Sequence, residues 1–154
     1  MIDRHEVLFT QLSAYRSEVL HAVASVTSEE ADVIPPPFRN NIRWNLGHIY
    51  LDQYQWIEAL TKEKQEVPET YPAWFGYGTS PQNFTQETPS LQDLFTLLKE
   101  QPGMIRERWG HRMEEAFPQT EMGMRTVEQV LIRTVFHEGM HLQTILDIKK
   151  ALSQ

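Results

Sequence analysis

Residues 126–152 read TVEQVLIRTVFHEGMHLQTILDIKKAL, and this stretch decides the fold. Thr126, followed three residues later by Gln129, matches the capping box that opens many α-helices. From there apolar residues recur every three or four positions, which is the periodicity of one helix face. The residues on this inward face are Val127, Val130, Thr134, His141, Ile145 and Ile148. The sequence therefore predicts a C-terminal helix that ends near Leu152 and packs one face against a core.

Three more helices are predicted upstream from the same periodicity. They cover about residues 3–27, 42–61 and 90–118. Pro102 falls inside the third, where it predicts a kink and not an end, because the apolar face stays in phase across it. Only residues 67–84 leave room for a strand, and no strand pattern there is convincing. The predicted fold class is all-α.

The second and third helices are joined by a long segment, residues 62–89, which is rich in aromatic residues, proline and glycine. Loops longer than about 12–15 residues in a compact domain are usually functional or disordered, and the aromatic residues argue against disorder. We expect the segment to pack as a lid or a crossover. Residues 1–154 then form a single four-helix-bundle domain with a long crossover connection between helices 2 and 3.

The composition excludes several classes of protein. With no cysteine, the chain has no disulfide scaffold, no cysteine zinc site, no iron–sulfur cluster and no cysteine nucleophile. Its net charge of −7 disfavours nucleic acid as a partner, since phosphates attract basic proteins. No window approaches the roughly 18 apolar residues of a membrane span, and the first residues lack a signal pattern. We expect a cytoplasmic protein with no membrane partner.

Two histidines lie four residues apart in the middle of the last helix, in the run His137-Glu138-Gly139-Met140-His141. Side chains at this spacing share one side of a helix, so two imidazoles can bind one metal ion. His137 falls on one flank of the inward face and Glu138 on the other. The run also matches H-E-x-x-H, the zinc protease signature in which the glutamate is the general base.

The protease interpretation lacks its remaining ligand. One protease type needs Gly and His further along, where this chain has Thr144 and Asp147, and another needs a downstream glutamate. None of the 13 residues after His141 is a glutamate. Glu138 remains a candidate catalytic residue, as a general base or as an orienting group, and the alternative is an ion pair or a surface carboxylate.

A third metal ligand must come from upstream, and His48 in the second helix is the best candidate, because that helix has little solvent-facing character. The alternative for His48 is a hydrogen-bonded core histidine. Three other histidines are weaker candidates and are expected at the surface: His5, His21 and His111. Trp44, Asn45 and Arg133 are candidates for lining the mouth of the site. Gly47 and Gly139 indicate either close helix packing or space for a substrate.

Gly47-His48-Ile49 in the second helix, together with His137-x-x-x-His141 near the C-terminus, resembles the DinB/YfiT-like superfamily of metal-dependent enzymes. The resemblance covers nearly the whole chain. It implies that His48, His137 and His141 bind a divalent metal inside a four-helix bundle, with water or substrate in the open positions. It also implies a range of chemistry, since some members are thiol S-transferases or a thiol-dependent isomerase that use bacillithiol or mycothiol.

The function predicted from these features is a metal-dependent transferase or hydrolase that activates a low-molecular-weight thiol or water for a small-molecule substrate. Since the chain has no cysteine, the thiol comes from a cosubstrate. Three imidazoles suit Zn, Ni, Fe or Co. The rival hypothesis is a bundle without catalysis, which binds metal for stability or acts as an interaction module.

The last helix has a second apolar stripe, formed by Ile132, Phe136 and Met140, on roughly the opposite side from its inward face. One core cannot easily cover both sides, and contiguous exposed apolar patches usually mark partner surfaces. We expect this apolar stripe to form a homodimer contact, in line with the frequent homodimers of the superfamily. Alternatively, the 62–89 segment folds over it.

Overall fold

The computed structural model describes residues 1–154 and contains helices and turns but no strand. The prediction of an all-α fold is therefore confirmed. Four long helices correspond to the four predicted ones, and two short helices lie between them. The α-helices are α1 (Asp3–Val23), α2 (Ser28–Asp32), α3 (Ile42–Thr61), α4 (Tyr71–Phe75), α5 (Leu91–Trp109) and α6 (Val127–Leu152), with a short 3-10 turn at Pro81–Asn83. None of these helices is long and apolar enough to cross a lipid bilayer.

Local hydrogen bonds explain where the long helices begin. The Thr126 hydroxyl accepts from the Gln129 backbone N–H at 3.2 Å, and the Gln129 side chain accepts from the Thr126 N–H at 3.3 Å, so the predicted capping box is present. A similar box at Ser90 opens α5. Pro102 lies inside α5 without ending it. These caps satisfy backbone N–H groups that have no partner within the helix.

The four long helices form a bundle in which α1 and α3 lie diagonally opposite, since each packs against both α5 and α6. Helix α3 runs parallel to α5. At the start of both helices Arg43 donates to the Pro89 carbonyl, and at their ends Arg108 donates to the Lys64 carbonyl. The connection between them must therefore return along the length of the bundle. A continuous core of 30 buried apolar residues fills the interior.

The long connection between α3 and α5 is ordered by its aromatic residues. Helix α4 packs against α3 and buries Tyr71, Trp74 and Phe75. The Phe75 ring also meets Phe84 edge to face, with centroids 5.5 Å apart. The region therefore packs on the bundle as predicted, and the strand for which the sequence left room does not form.

A buried ion pair crosses the core. Arg16 on α1 donates from Nε to Oε1 of Glu138 on α6 at 2.6 Å, and both side chains are almost fully buried. Its other nitrogens donate to the Leu98 carbonyl on α5 at 2.7 Å and to Oε1 of Gln53 on α3 at 3.2 Å. One guanidinium group therefore bonds all three of the other long helices, so it fixes their relative rotation.

Removing the charge of Glu138 tests this assignment. Glu138→Gln leaves a buried guanidinium without its counter-ion, so the free energy of unfolding should fall by about 3 kcal/mol in urea titrations. The control is Asp147→Asn, an exposed carboxylate on the same helix that bonds only Gln143, and it should change stability by less than about 0.5 kcal/mol. Equal effects of the two variants would contradict a structural role for the ion pair.

Candidate metal centre

The three histidines predicted as metal ligands meet between α3 and α6. Nε2 of His137 lies 3.2 Å from Nε2 of His48 and 3.2 Å from Nε2 of His141. The ligand atoms of all three lie within 4.8 Å of one another. His48 is buried, and the other two are half-buried at the floor of an open cleft. The structure thus brings together a group that could hold a metal ion.

The other ring nitrogen of each histidine faces an oxygen that can only accept a hydrogen bond. The three pairs are His48 Nδ1 with the Phe75 carbonyl at 2.7 Å, His137 Nδ1 with Asp52 Oδ2 at 3.0 Å, and His141 Nδ1 with Asn45 Oδ1 at 2.8 Å. The Asn45 oxygen is identified because its amide nitrogen donates to the Asn41 carbonyl. Each Nδ1 must therefore carry a proton, which leaves every Nε2 of the neutral rings with a free lone pair.

This arrangement fits a divalent metal. Lone pairs 3.2 Å apart with no proton between them repel one another unless a cation lies at their centre. Zinc–nitrogen bonds of about 2.0–2.1 Å in a tetrahedron place two nitrogens about 3.3–3.4 Å apart, close to the observed separation. His48, His137 and His141 thus match three ligands of a tetrahedral site, and the side that faces the cleft carries no fourth protein ligand.

Burial favours the neutral form that binds metal for two of these imidazoles, those of His48 and His141. Burial, and next the charges of His48 and His137, lower the pKa of His141 to about 3. Burial also lowers the pKa of His48, against the raising effect of its bond to the Phe75 carbonyl. Since a metal competes with a proton for each nitrogen, low pKa values favour metal binding at neutral pH.

Asp52 is the charged partner of the centre. Its carboxylate accepts from His137 Nδ1 at 3.0 Å and from Arg133 at 3.2 Å, and the Arg133 guanidinium lies over the Trp56 ring, 4.1 Å from its centroid. Burial alone would raise the pKa of Asp52, but the hydrogen bond and charge of His137 and the charge of Arg133 hold it below its ordinary value. Asp52 is therefore an anion that orients His137.

An aromatic stack and a backbone hydrogen bond hold His48. The Trp44 ring stacks on its imidazole at 4.7 Å between centroids, and Trp44 Nε1 donates to the Thr79 hydroxyl at 2.9 Å. The Phe75 carbonyl reaches His48 because α4 lies close to α3 at Gly47, where a Cβ atom would overlap the Phe75 ring. Of the two interpretations of Gly47, close packing is therefore the one the structure supports.

The remaining sequence predictions have mixed outcomes. Glu138 lies in the core beside Arg16 and does not line the cleft above the histidines. His21 and His111 are exposed as expected. The expectation of a surface position for His5 is wrong, since that side chain is buried with its Nε2 3.5 Å from Glu128. His5 falls on the same buried face of α1 as Leu8 and Leu12. The prediction missed this because it gave more weight to the closeness of His5 to the chain start.

Two groups of the centre were absent from the sequence predictions. Asp52 has a signal, because it follows His48 by four residues and so shares its helix face. The Phe75 carbonyl has none, because a backbone acceptor carries no residue signature. Arg133 lines the cleft as expected and also bonds Asp52, whereas Asn45 does not line the cleft and instead orients His141.

Comparison with known families supplies an independent observation. The family model described as the DinB superfamily matches residues 11–145 of the chain. This span contains all three histidines and most of the four long helices. No curated protein matches the chain.

The two glycines beside the histidines give a matched pair of variants. Gly47→Ala forces the Phe75 ring and α4 away from α3, so unfolding free energy should fall by about 1–3 kcal/mol. Gly139→Ala meets nothing within 4 Å, so it should be neutral or stabilise by up to about 1 kcal/mol. Urea titrations of both variants provide the measurement, and a harmless Gly47→Ala would contradict the close approach.

Proposed function

The chain belongs to the DinB superfamily, and on this premise we propose that it is a metal-dependent enzyme that binds one divalent transition metal, Zn, Ni, Fe or Co, through His48, His137 and His141. The observation that carries the proposal is the convergence of three unprotonated Nε2 atoms, with that of His137 3.2 Å from each of the other two. The reaction is a transfer or a hydrolysis that uses a low-molecular-weight thiol or water.

A metal ion with an open coordination position lowers the pKa of a bound water or thiol and so makes a nucleophile available at neutral pH. The residues of this chain bind and orient. Asp52 holds the proton of His137 on Nδ1, and the Trp44 ring excludes water from one face of His48. Because the chain has no cysteine, a thiol nucleophile belongs to a cosubstrate.

For Glu138 the contacts support the ion-pair alternative over a catalytic role as general base. Both carboxylate oxygens accept hydrogen bonds from Arg16, at 2.6 and 3.3 Å. Glu138 does not line the cleft, although His137, the residue directly before it in the chain, does. We therefore assign it a positioning role, in which the ion pair sets the rotation of α6 and with it the direction of His137.

The size of the cleft favours an enzyme over a bundle that binds metal for stability. The cleft above the histidines has a volume of about 1240 Å³, which is somewhat larger than the roughly 300–1,000 Å³ of ordinary small-molecule sites. Structural metal sites are usually closed by a fourth protein ligand, and this centre presents three. A non-catalytic bundle remains the rival that the experiments below distinguish.

Elemental analysis of the purified protein should find one divalent metal per chain. His48→Ala should lose that metal, because two imidazoles on one helix leave the site without its third ligand. Asp52→Asn should weaken metal affinity by about 10–100-fold, since it removes the negative charge beside His137 Nδ1. His21→Ala, an exposed histidine on α1, is the control and should keep full metal content. Full metal content in His48→Ala would refute the three-histidine site.

Catalysis is tested by a screen of thiol conjugation and small-molecule hydrolysis, with and without chelator. An activity that is lost on verified metal removal and restored by adding metal supports the proposal. An activity that survives metal removal would overturn the mechanism. A protein that binds metal but is silent across the screen would favour the non-catalytic rival.

We also propose that the apolar stripe of α6 forms a homodimer. Ile132, Phe136 and Met140 are 55%, 73% and 53% exposed, respectively. The alternative that the 62–89 segment covers them is wrong, because its helix α4 packs against α3 and the stripe stays open. In a twofold dimer the same stripe lies on both subunits, so one substitution changes the interface twice.

Phe136→Glu should convert the dimer to a monomer in sedimentation experiments, because it places two charges in an apolar contact. Gln11→Glu introduces the same charge at an exposed position of α1 and should leave the dimer intact. A wild-type monomer, or a Phe136→Glu protein that remains dimeric, would contradict this interface.

A further inference from the structure

A second group of potential metal ligands lies at the end of the bundle where α1 and α6 begin. His5 is in the first turn of α1, Glu128 is in the first turn of α6, and Glu114 lies shortly after the end of α5. One ligand atom from each lies within 4.8 Å of the other two. Glu128 precedes His137 on α6 by about 13–14 Å along the helix axis, so this group cannot share an ion with the three-histidine centre.

Backbone contacts and helix packing bring these three residues together. The Glu128 backbone N–H donates to the Met113 carbonyl at 3.2 Å, and Glu114 is the next residue in the chain. Helix α1 packs against α6, and the buried face of α1 directs His5 toward Glu128. The positions of His5 and Glu128 are therefore fixed by the core, whereas Glu114 approaches from the surface.

His5 has a buried nitrogen without a hydrogen-bond partner. Its side chain is only 5% exposed, and the Nε2 atom is buried and unpaired. Glu128 Oε2 lies 3.5 Å from this nitrogen, beyond the roughly 2.7–3.2 Å of a hydrogen bond. Buried polar atoms nearly always have a partner, so an unpaired one requires an explanation. The separation of 3.5 Å matches the distance between a nitrogen and an oxygen ligand of one tetrahedral zinc ion, about 3.3–3.5 Å.

The two carboxylates are bridged by Arg4. Its guanidinium donates to Glu114 and to Oε1 of Glu128, the latter at 2.7 Å, but it makes no hydrogen bond to His5. Arg4 therefore neutralises the carboxylates and leaves the buried nitrogen unpaired. A metal ion serves both, because it accepts electron pairs from imidazole and from carboxylate. The Arg4 side chain is 55% exposed, so it can turn into solvent when an ion takes its place.

We propose that His5, Glu114 and Glu128 form a second metal site, which binds zinc or a similar divalent transition metal when the ion displaces Arg4. The imidazole ligand favours these ions over magnesium and calcium, which prefer oxygen ligands. Because the ion competes with Arg4 and one ligand is exposed, the site fills only when zinc is supplied in excess of the ion at the three-histidine centre. The inference does not rest on the proposed function.

A metal ion at this site would restrain the start of α1. Ile2, the residue before the helix, provides no side-chain hydrogen bond to the first turn. An ion bound to His5 joins that turn to α6 and to the segment after α5. The backbone amides of the first turn of α1 should therefore exchange with solvent more slowly when zinc is bound.

The test is equilibrium dialysis of untagged protein against zinc, followed by elemental analysis. The wild type should bind two zinc ions per chain, and His5→Phe, which keeps a ring in the buried position, should bind one. Glu114→Gln should weaken the second ion by at least about tenfold, since changing even an outer partner of a metal ligand has this effect. Arg4→Gln should strengthen it by about two- to fivefold, the contribution of an exposed ion pair. Magnesium should not displace it.

Glu115→Gln is the matched control, because this neighbouring carboxylate pairs with Arg112 and lies outside the site. It should leave both zinc ions unchanged. Glu114 is exposed, so Glu114→Gln tests the site even where His5→Phe disturbs folding. Hydrogen exchange on the same samples should show slower exchange at the start of α1 with zinc in the wild type and no change in His5→Phe.

The two metal sites are separated by their variants. A wild type that loses one zinc ion through His5→Phe and none through His48→Ala would reject the proposed function and keep the second site. Zinc binding that neither His5→Phe nor Glu114→Gln weakens would show an adventitious ion only and overturn the proposal. Weaker zinc binding in Arg4→Gln, or equal binding of magnesium, would also overturn it.

Discussion

Three imidazole nitrogens that each carry a lone pair face one another between α3 and α6. The hydrogen-bond acceptors around the three rings determine this arrangement. Neutral histidine can place its proton on either nitrogen, and at this centre the choice is made outside the ring. A backbone carbonyl, a carboxylate and an amide oxygen each accept a hydrogen bond from one Nδ1–H, so the proton of each ring stays on Nδ1. Every Nε2 is then free, and their mutual repulsion in a buried site is relieved by a cation.

The bundle supplies these acceptors through contacts that lie well outside the centre. Gly47 lets α4 approach α3, and this approach brings the Phe75 carbonyl to His48. The Arg16–Glu138 ion pair fixes the rotation of α6, which carries the other two ligands. A buried ion pair adds little net stability compared with apolar packing, but a wrong rotation would leave it unpaired at high cost. Its value here is in specifying one arrangement of the helices.

The sequence predicted the helices and the grouping of the three histidines better than it predicted what orients those histidines. Helix α3 was predicted with its observed ends, and His48 was selected because it lies on that helix. Periodicity reports burial, and spacing reports which side chains share a face. Neither reports which acceptor a ring nitrogen will meet. Asp52 was recoverable from its position four residues after His48, whereas the Phe75 carbonyl depends on how a 28-residue connection folds back, which no local pattern specifies.

The H-E-x-x-H match shows why a motif must be read together with its packing. In the protease motif the glutamate faces the metal, but in this chain Glu138 points across the core to Arg16. Residues one apart on a helix differ by about 100° in direction, so His137 can face the cleft while Glu138 faces the bundle axis. The carboxylate that serves the centre comes instead from α3, as Asp52. Because Asp52 bonds Nδ1, it leaves the cleft side of the three Nε2 atoms open, where a structural metal site would have its fourth protein ligand.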